Sequence, residues 1–212
     1  MTLCLDIHTH HPAPQPMGVV SCGITDFNPM EGQFYSVGIH PWDTQNSPSA
    51  QDWAELERIA ALPCVVAIGE TGIDKIKGGF LFRQINVMRR QIDLSESLGK
   101  PLIIHDVKAH DVIVGLKRDL NPTQKWVIHG FRGKPSVAKM MTDAGIYLSF
   151  GEKFNPDTPA TIPPHLMLAE TDESLLSIEE IIKNLSENLN RDIRYLIEEN
   201  TRSFLFEKDM TL

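Results

Sequence analysis

Short apolar runs, rich in branched side chains, recur along the chain with few polar interruptions. Near-continuous hydrophobicity over about four to eight residues is typical of strands that are buried on both faces, as in a parallel sheet. The pattern therefore predicts eight strands, at residues 3–7, 19–22, 34–39, 65–70, 102–105, 126–129, 146–150 and 166–171.

Amphipathic stripes between several of these runs predict helices. Ser49 and Asp52 form a capping-box pattern ahead of one stripe, and Ser177 and Glu180 do so ahead of another. The stripe that runs up to Gly99 is the most regular and predicts the longest helix. The apolar positions of the stripes are Trp53, Leu56 and Ala60; Leu81, Ile85, Met88 and Ile92; Val112, Ile113 and Leu116; Ile178, Ile181, Ile182 and Leu185; and Ile193, Leu196 and Ile197, with a further helix over 135–144.

Strands that alternate with helices predict an α/β fold, and eight buried strands favour a closed parallel (β/α)₈ barrel as a single domain over 1–212. The segments after the first, second and seventh strands are short or Pro-rich, so we expect a trimmed barrel without helices there. An uncovered sheet exposes apolar side chains to water. We therefore expect cover from the C-terminal segment with Phe204 and Phe206, or from a second copy in a homo-oligomer.

Composition adds limits on partners. The 212 residues include 28 acidic and 20 basic residues, a net charge of −8, so there is no broad basic surface for nucleic acid and any such substrate must be held locally. Cys4, Cys22 and Cys64 have no paired spacing and are predicted to be buried free thiols in a reducing compartment. With no secretion pattern and no membrane-length apolar run, we expect a cytoplasmic protein without a membrane partner.

Polar residues stand at the carboxyl ends of the predicted strands. In a parallel barrel these ends converge on one face, where active sites lie. Residues far apart in the sequence are therefore predicted to meet in one pocket. They are His8, His10, His40, Glu70, His105, His129 and Asp172.

The residue types in this set predict a metal centre. His8 and His10 are two apart on an extended strand and can hold one ion, while an isolated carboxylate such as Glu70 is costly to bury without a cation. Five candidate ligands plus a bridging Glu70 exceed the needs of one zinc ion, so we predict two divalent ions and hydrolysis by an activated water. Zinc, manganese, magnesium, nickel and iron all remain open as the metal. The metal ligands are predicted to be His8, His10, Glu70, His105, His129 and Asp172.

The remaining candidates concern the substrate. His40, in G-I-H-P-W, is interpreted equally well as a substrate contact or as a residue that stabilises a turn. Lys108 and Arg132 are candidate phosphate or oxyanion contacts, although exposed basic residues are usually only solvated. His11, His110 and His165 are assigned no role as ligands.

Seven segments, in this order, resemble the TatD-type metal-dependent hydrolases of the amidohydrolase superfamily: D-I-H-T-H, V-G-I-H-P-W, I-G-E-T-G-I-D, P-L-I-I-H, I-H-G-F-R-G, Y-L-S-F-G and A-E-T-D. The resemblance spans nearly the whole chain and implies a (β/α)₈ barrel with divalent-metal deoxyribonuclease activity. It implies that His8, His10 and Asp172 hold one metal, that Glu70 bridges, and that His105 and His129 hold the second. It further implies that His40 approaches the scissile phosphate and that Asp172 accepts a proton from the water.

Three features depart from the family pattern: Val107 stands where the family often has Arg, Ser174 replaces a usual Pro, and several predicted helices are shortened. The missing Arg and the trimmed loops are expected at the substrate-facing rim. The leading hypothesis is a phosphodiesterase that acts on nucleic acid. An amide or ester hydrolase with the same centre, and a metal-binding scaffold without turnover, remain the alternatives.

Overall fold

Eight parallel strands close into a barrel in chain order, from β1 through β8 and back to β1, in a computed structural model that describes residues 5–12 and 18–206. The predicted (β/α)₈ barrel is confirmed. The strands are β1 Asp6–Thr9, β2 Gly18–Cys22, β3 Phe34–Val37, β4 Val65–Asp74, β5 Leu102–Val107, β6 Trp126–Ile128, β7 Tyr147–Phe150 and β8 Met167–Ala169.

Six α-helices lie in the described part of the chain, and α2 is the longest, as predicted. Ser49 and Ser177 each begin a helix with a complete capping box, and Gly99 ends α2 with the left-handed backbone (φ 64°) that glycine adopts at low cost. The helices are α1 Ala50–Ala60, α2 Leu81–Leu98, α3 His110–Leu120, α4 Pro135–Asp143, α5 Ile178–Asn188 and α6 Arg194–Phe206, and short 3₁₀ helices occur at Pro41–Gln45, Pro159–Thr161 and Pro164–Leu166.

The barrel is trimmed where the sequence predicts it. Residues 23–33 after β2 form no helix, and the connection after β7 contains only 3₁₀ turns. After β1, residues 10–12 are not helical, and residues 13–17, on which the same prediction falls, lie outside the described residues. The loop after β2 takes the place of a helix, because Phe27 packs against the buried Tyr35 with ring centroids 5.3 Å apart. The backbone N–H of Met30 donates to the Tyr35 phenol oxygen at 2.9 Å, which holds the loop against the sheet.

The N-terminal end of the barrel is filled by apolar side chains. The last turn of α6 contributes to this cluster, and Phe204 is buried with its ring 5.2 Å from that of Tyr147. Phe204 and Leu205 therefore cover this end of the barrel, which corrects the expectation that they shield the side left bare after β1, β2 and β7. The remainder of the expected covering segment, residues 207–212, lies outside the described residues. The cluster consists of Ile7, Val19, Val66, Ala67, Ile103, Val127, Leu168, Phe204 and Leu205.

Several strand limits differ from the predicted ones. β4 continues to Asp74, because its register with β5 pairs Asp74 with Val107. β8 ends at Ala169, since the chain turns to bring Asp172 beside β1, where it bridges to Thr9.

Other expectations concern cysteines and membranes. Cys22 and Cys64 are free thiols, partly rather than fully buried, whereas Cys4 lies outside the described residues. None of the helices described in residues 18–206 is long and apolar enough to cross a membrane.

Candidate metal centre

Glu70 lies at the centre of a ring of imidazoles at the C-terminal end of the barrel. Its side chain is 7% exposed, and its two oxygens face different neighbours. Oε1 lies 3.6 Å from His8 Nε2 and 3.1 Å from His10 Nε2. Oε2 lies 3.4 Å from His105 Nδ1 and 2.8 Å from His129 Nε2. One carboxylate thus joins two groups of potential ligands.

The first group comprises His8, His10 and Asp172. Asp172 Oδ1 lies 3.6 Å from the Nε2 atoms of both histidines. The backbone fixes this arrangement, because Asp172 N–H donates to the His8 carbonyl and His10 N–H donates to the Asp172 carbonyl, each at 3.0 Å. The end of β1 and the loop after β8 therefore hold the three side chains together.

The second group comprises His105 and His129, which follow the apolar interiors of β5 and β6. His105 Nδ1 and His129 Nε2 are 3.2 Å apart, and both face Glu70 Oε2. His40 also approaches this oxygen, with its Nε2 at 3.4 Å. The strand ends that were predicted to converge do so.

The surroundings of His8 fit a bound cation. The side chain is fully buried, and neither ring nitrogen has a hydrogen-bond partner among the described residues. Leaving a buried imidazole without partners is costly, whereas neutral imidazole with carboxylates is a common ligand set for divalent transition metals. The donors present therefore suit a divalent metal ion.

The pKa shifts of Glu70 and His129 also fit a bound cation. Burial alone would raise the pKa of Glu70, but His129 and His8 outweigh it and hold the pKa well below its usual value. Burial would lower the pKa of His129, yet Glu70 and Glu170 raise it well above the usual value. The carboxylates thus stabilise positive charge on the imidazole, and a bound divalent ion supplies such charge with release of protons.

Two buried acids support the ligands, and sequence reasoning did not single them out. Glu170 Oε1 accepts the Gly130 N–H at 2.6 Å and lies 3.5 Å from His129 Nδ1. Asp74 Oδ2 lies 3.5 Å from His105 Nε2. Carboxylates that orient metal-binding imidazoles have this placement. The available signal was an acid directly after an apolar run, as in A-E-T-D.

The structure also places the three predicted substrate contacts near this centre. His40 Nδ1 accepts the Trp42 N–H at 3.1 Å and so caps the 3₁₀ helix, while its other nitrogen faces Glu70. Lys108 and Arg132 are exposed and line a cavity of about 430 Å³. This cavity also contacts His105, His129 and Asp172.

A closed parallel barrel with an imidazole and carboxylate cluster at its C-terminal end is typical of metal-dependent hydrolases. The sequence model of the TatD related DNase family matches residues 28–204. The chain therefore belongs to this family.

Individual relatives agree with this assignment. The chain is 32% identical over 157 residues to the uncharacterized metal-dependent hydrolase TatD of Mycobacterium tuberculosis, a match that covers 68% of this chain and 59% of that protein. It is 31% identical over 117 residues, or 53% of this chain and 44% of the relative, to a protein of Edwardsiella piscicida named 3'-5' ssDNA/RNA exonuclease TatD. This chain spans about three fifths of the length of the first of these relatives. In fold it is similar to the TatD homologue YjjV of Escherichia coli, with a TM-score of 0.80 and 19% identity over 95% of this chain and 97% of that one.

Proposed function

We propose that this protein is a metal-dependent phosphodiesterase that uses two divalent ions to hydrolyse nucleic acid. The observation that carries the proposal is the position of Glu70, whose two oxygens each face a separate group of ligands at 2.8 to 3.6 Å. A carboxylate between two sets of imidazoles is suited to bridging a pair of ions.

The two ligand groups described above would each hold one ion. His8, His10 and Asp172 would hold one ion, His105 and His129 the other, and Glu70 would join both. Divalent ions at such a centre lower the pKa of bound water and stabilise charge that develops on a phosphoryl oxygen.

Asp172 is suited to accept the proton of the attacking water. Burial would raise the pKa of its carboxyl group, but His8, His129 and His10 outweigh this and keep the pKa below its usual value. The group is therefore ionised at neutral pH and available as a base.

The substrate assignment is supported by the cavity beside the centre. Lys108 and Arg132 can contact phosphate oxygens there without a broad basic surface, as the net charge of −8 requires. Relatives named as a putative deoxyribonuclease and as a single-strand DNA and RNA exonuclease support nucleic acid as the substrate class.

The test combines metal content with a substrate screen. Protein stripped with EDTA is reloaded with manganese, zinc, magnesium, nickel or iron, and bound metal is counted by mass spectrometry. We expect up to two ions per chain and turnover of DNA or RNA. Failure to retain any ion, or turnover confined to esters and amides, would contradict the proposal.

Matched histidine variants identify the ligands. His105→Asn removes an imidazole beside Glu70 and should lose one ion with most of the activity. His165→Asn changes an exposed histidine in the 3₁₀ helix that precedes β8, at the opposite end of the barrel, and should keep both. Equal metal content in the two variants would remove His105 from the ligand set.

A further inference from the structure

An exposed aromatic surface lies next to the candidate metal centre and has no role in the chemistry described so far. Trp42 is 45% exposed, although Trp53 and Trp126 are buried. Phe80 and Phe82 are 70% and 63% exposed. Large apolar side chains that cluster on a surface generally mark a binding site. We call Trp42, Phe80 and Phe82, with the cations Lys77 and Arg83, the aromatic rim.

Trp42 is positioned directly against the centre. Its indole Nε1–H donates to Asp74 Oδ2 at 2.6 Å, and the same oxygen lies 3.5 Å from His105 Nε2. The indole centroid is 4.7 Å from the His40 ring and 5.9 Å from the His105 ring. The exposed indole thus contacts the His105 ring and is also linked to His105 through the Asp74 carboxylate.

The phenylalanines form the outer part of the same surface. Phe80 and Phe82 have nearly parallel rings with centroids 6.1 Å apart, and the Arg83 guanidinium lies 5.6 and 5.9 Å from them. Arg83 Nη1 also donates to the carbonyl oxygens of Thr44, at 3.1 Å, and Gln45. These bonds tie the start of α2 to the 3₁₀ helix that carries Trp42, so the two parts form one surface.

Cations accompany the aromatic rings. The Lys77 ammonium lies 4.5 Å from the Trp42 ring centroid, and Arg83 covers both phenylalanines. Aromatic faces interleaved with basic side chains are typical of proteins that bind single-stranded nucleic acid, where bases stack and phosphates meet the cations. Paired bases in a duplex hide these faces within the stack.

We propose that the aromatic rim stacks the unpaired bases of a single strand whose phosphodiester lies at the metal centre, with Trp42 taking the base nearest the scissile bond. This inference rests on the proposed phosphodiesterase function. It adds a site for bases to a centre whose other contacts are to phosphate. The rim makes the protein selective for strands that carry bases over the bare sugar-phosphate chain.

The experiment compares two fluorescently labelled strands of equal length and charge. One is a short thymidine oligonucleotide, and the other carries abasic tetrahydrofuran units in place of every nucleoside. Both strands carry phosphorothioate linkages, which slow hydrolysis, so binding to the metal-loaded protein can be measured by anisotropy. The readout is the ratio of the two affinities, since any effect on phosphate contacts cancels in it.

We expect wild-type protein to bind the thymidine strand more tightly, and Trp42→Ala to reduce the ratio by about 5- to 100-fold. Phe82→Ala should reduce it less, because Trp42 lines the cavity over the centre and Phe82 does not. Trp42→Phe keeps an aromatic face but loses the bond to Asp74, so it should retain most of the ratio. Phe206→Ala removes a half-exposed phenylalanine beside Phe34, at the other end of the barrel, and should leave the ratio unchanged.

Other results overturn the proposal. Equal binding of the two strands by wild type, or an unchanged ratio in Trp42→Ala, rejects base stacking. Concentration-dependent dimers that Trp42→Ala and Phe82→Ala abolish would instead assign the rim to contact between copies. If metal-loaded wild type hydrolyses methyl para-nitrophenyl phosphate but does not distinguish the two strands, only this inference is rejected. If the protein binds neither strand and hydrolyses no phosphodiester, the proposed function is rejected as well.

Discussion

At the N-terminal end of the barrel the side chains of the central cluster are apolar, whereas at the C-terminal end several of the same strands carry an imidazole or a carboxylate two residues further along. Ile103 is followed by His105 in β5, and Val127 is followed by His129 after β6. Successive side chains of a strand alternate between its faces, so each pair points to the same interior. The barrel axis therefore passes from a packed core to a cluster of potential ligands.

The two ends of the barrel therefore contribute differently to the protein: one to the stability of the fold and the other to its chemistry. Apolar packing at the N-terminal end stabilises the fold, while the C-terminal end buries polar groups such as His8 without hydrogen-bond partners. Burying such groups costs free energy, which a bound ion offsets. Substitutions at the N-terminal end should therefore lower the free energy of unfolding and leave turnover of the folded protein unchanged. Substitutions at the C-terminal end should reduce metal-dependent turnover while the barrel still folds.

The largest effect is expected from Glu70→Gln at the C-terminal end. The change removes the negative charge that faces both groups of imidazoles, so turnover should fall by more than the ~10- to 100-fold typical of a group that only orients ligands. Metal content should fall as well, while circular dichroism should still report a folded barrel. Activity and metal content equal to wild type would show that the two ligand groups do not depend on Glu70.

Phe204→Ala tests the N-terminal end. Truncating a fully buried phenylalanine leaves a cavity, so the free energy of unfolding should decrease by ~3–5 kcal/mol in urea denaturation. Turnover of the folded, metal-loaded protein should be unchanged. Phe206→Ala is the matched control and should cost less than ~1 kcal/mol, because its side chain is half exposed. A comparable loss in both variants would mean that Phe204 does not close the barrel core.

Glu170→Gln should have a smaller effect on metal binding and activity at the C-terminal end of the barrel. The change keeps an oxygen that can accept the Gly130 N–H but removes the charge beside His129 Nδ1. Metal affinity or activity should fall by about 10- to 100-fold, with less loss than in Glu70→Gln. Titration of the stripped protein with zinc measures this, and an affinity equal to wild type would exclude a positioning role for Glu170.

The smallest effect is a pH dependence at the N-terminal end. Burial would raise the pKa of Glu96, but hydrogen bonds from Thr123 and Gln124 outweigh it and lower the pKa. Because the folded pKa lies below the unfolded one, this stabilisation is present above the unfolded pKa and is lost as pH falls through the folded value. Glu96 is partly exposed, so the contribution should stay below ~1 kcal/mol. Denaturation of wild type and Glu96→Gln from pH 7 to pH 3 should converge at the acid end, and a constant difference would contradict the assignment.

Much of the architecture could be predicted because its signals are local. Buried parallel strands are continuously apolar, and the helix starts at Ser49 and Ser177 depend on residues three positions apart. The ligand candidates were found by the same logic, since His105 and His129 each follow an apolar run. Parallel strands in a closed barrel bring such positions to one end, whatever the sequence between them.

Other features depend on which residues meet across the barrel. Glu170 was overlooked beside Asp172, because nothing in A-E-T-D reveals that it faces His129. The aromatic rim combines Trp42 with Phe80 and Phe82, residues from two connections whose proximity is set by the Arg83 bonds. The position of α6 was also decided by the fold, since Phe204 packs into the apolar cluster at the N-terminal end of the barrel, whereas Phe27 packs against Tyr35. The sequence by itself determined the periodic elements and the residue types at their ends. Only tertiary structure decided these pairings, because burial and contact across the barrel depend on strands that are distant in the chain.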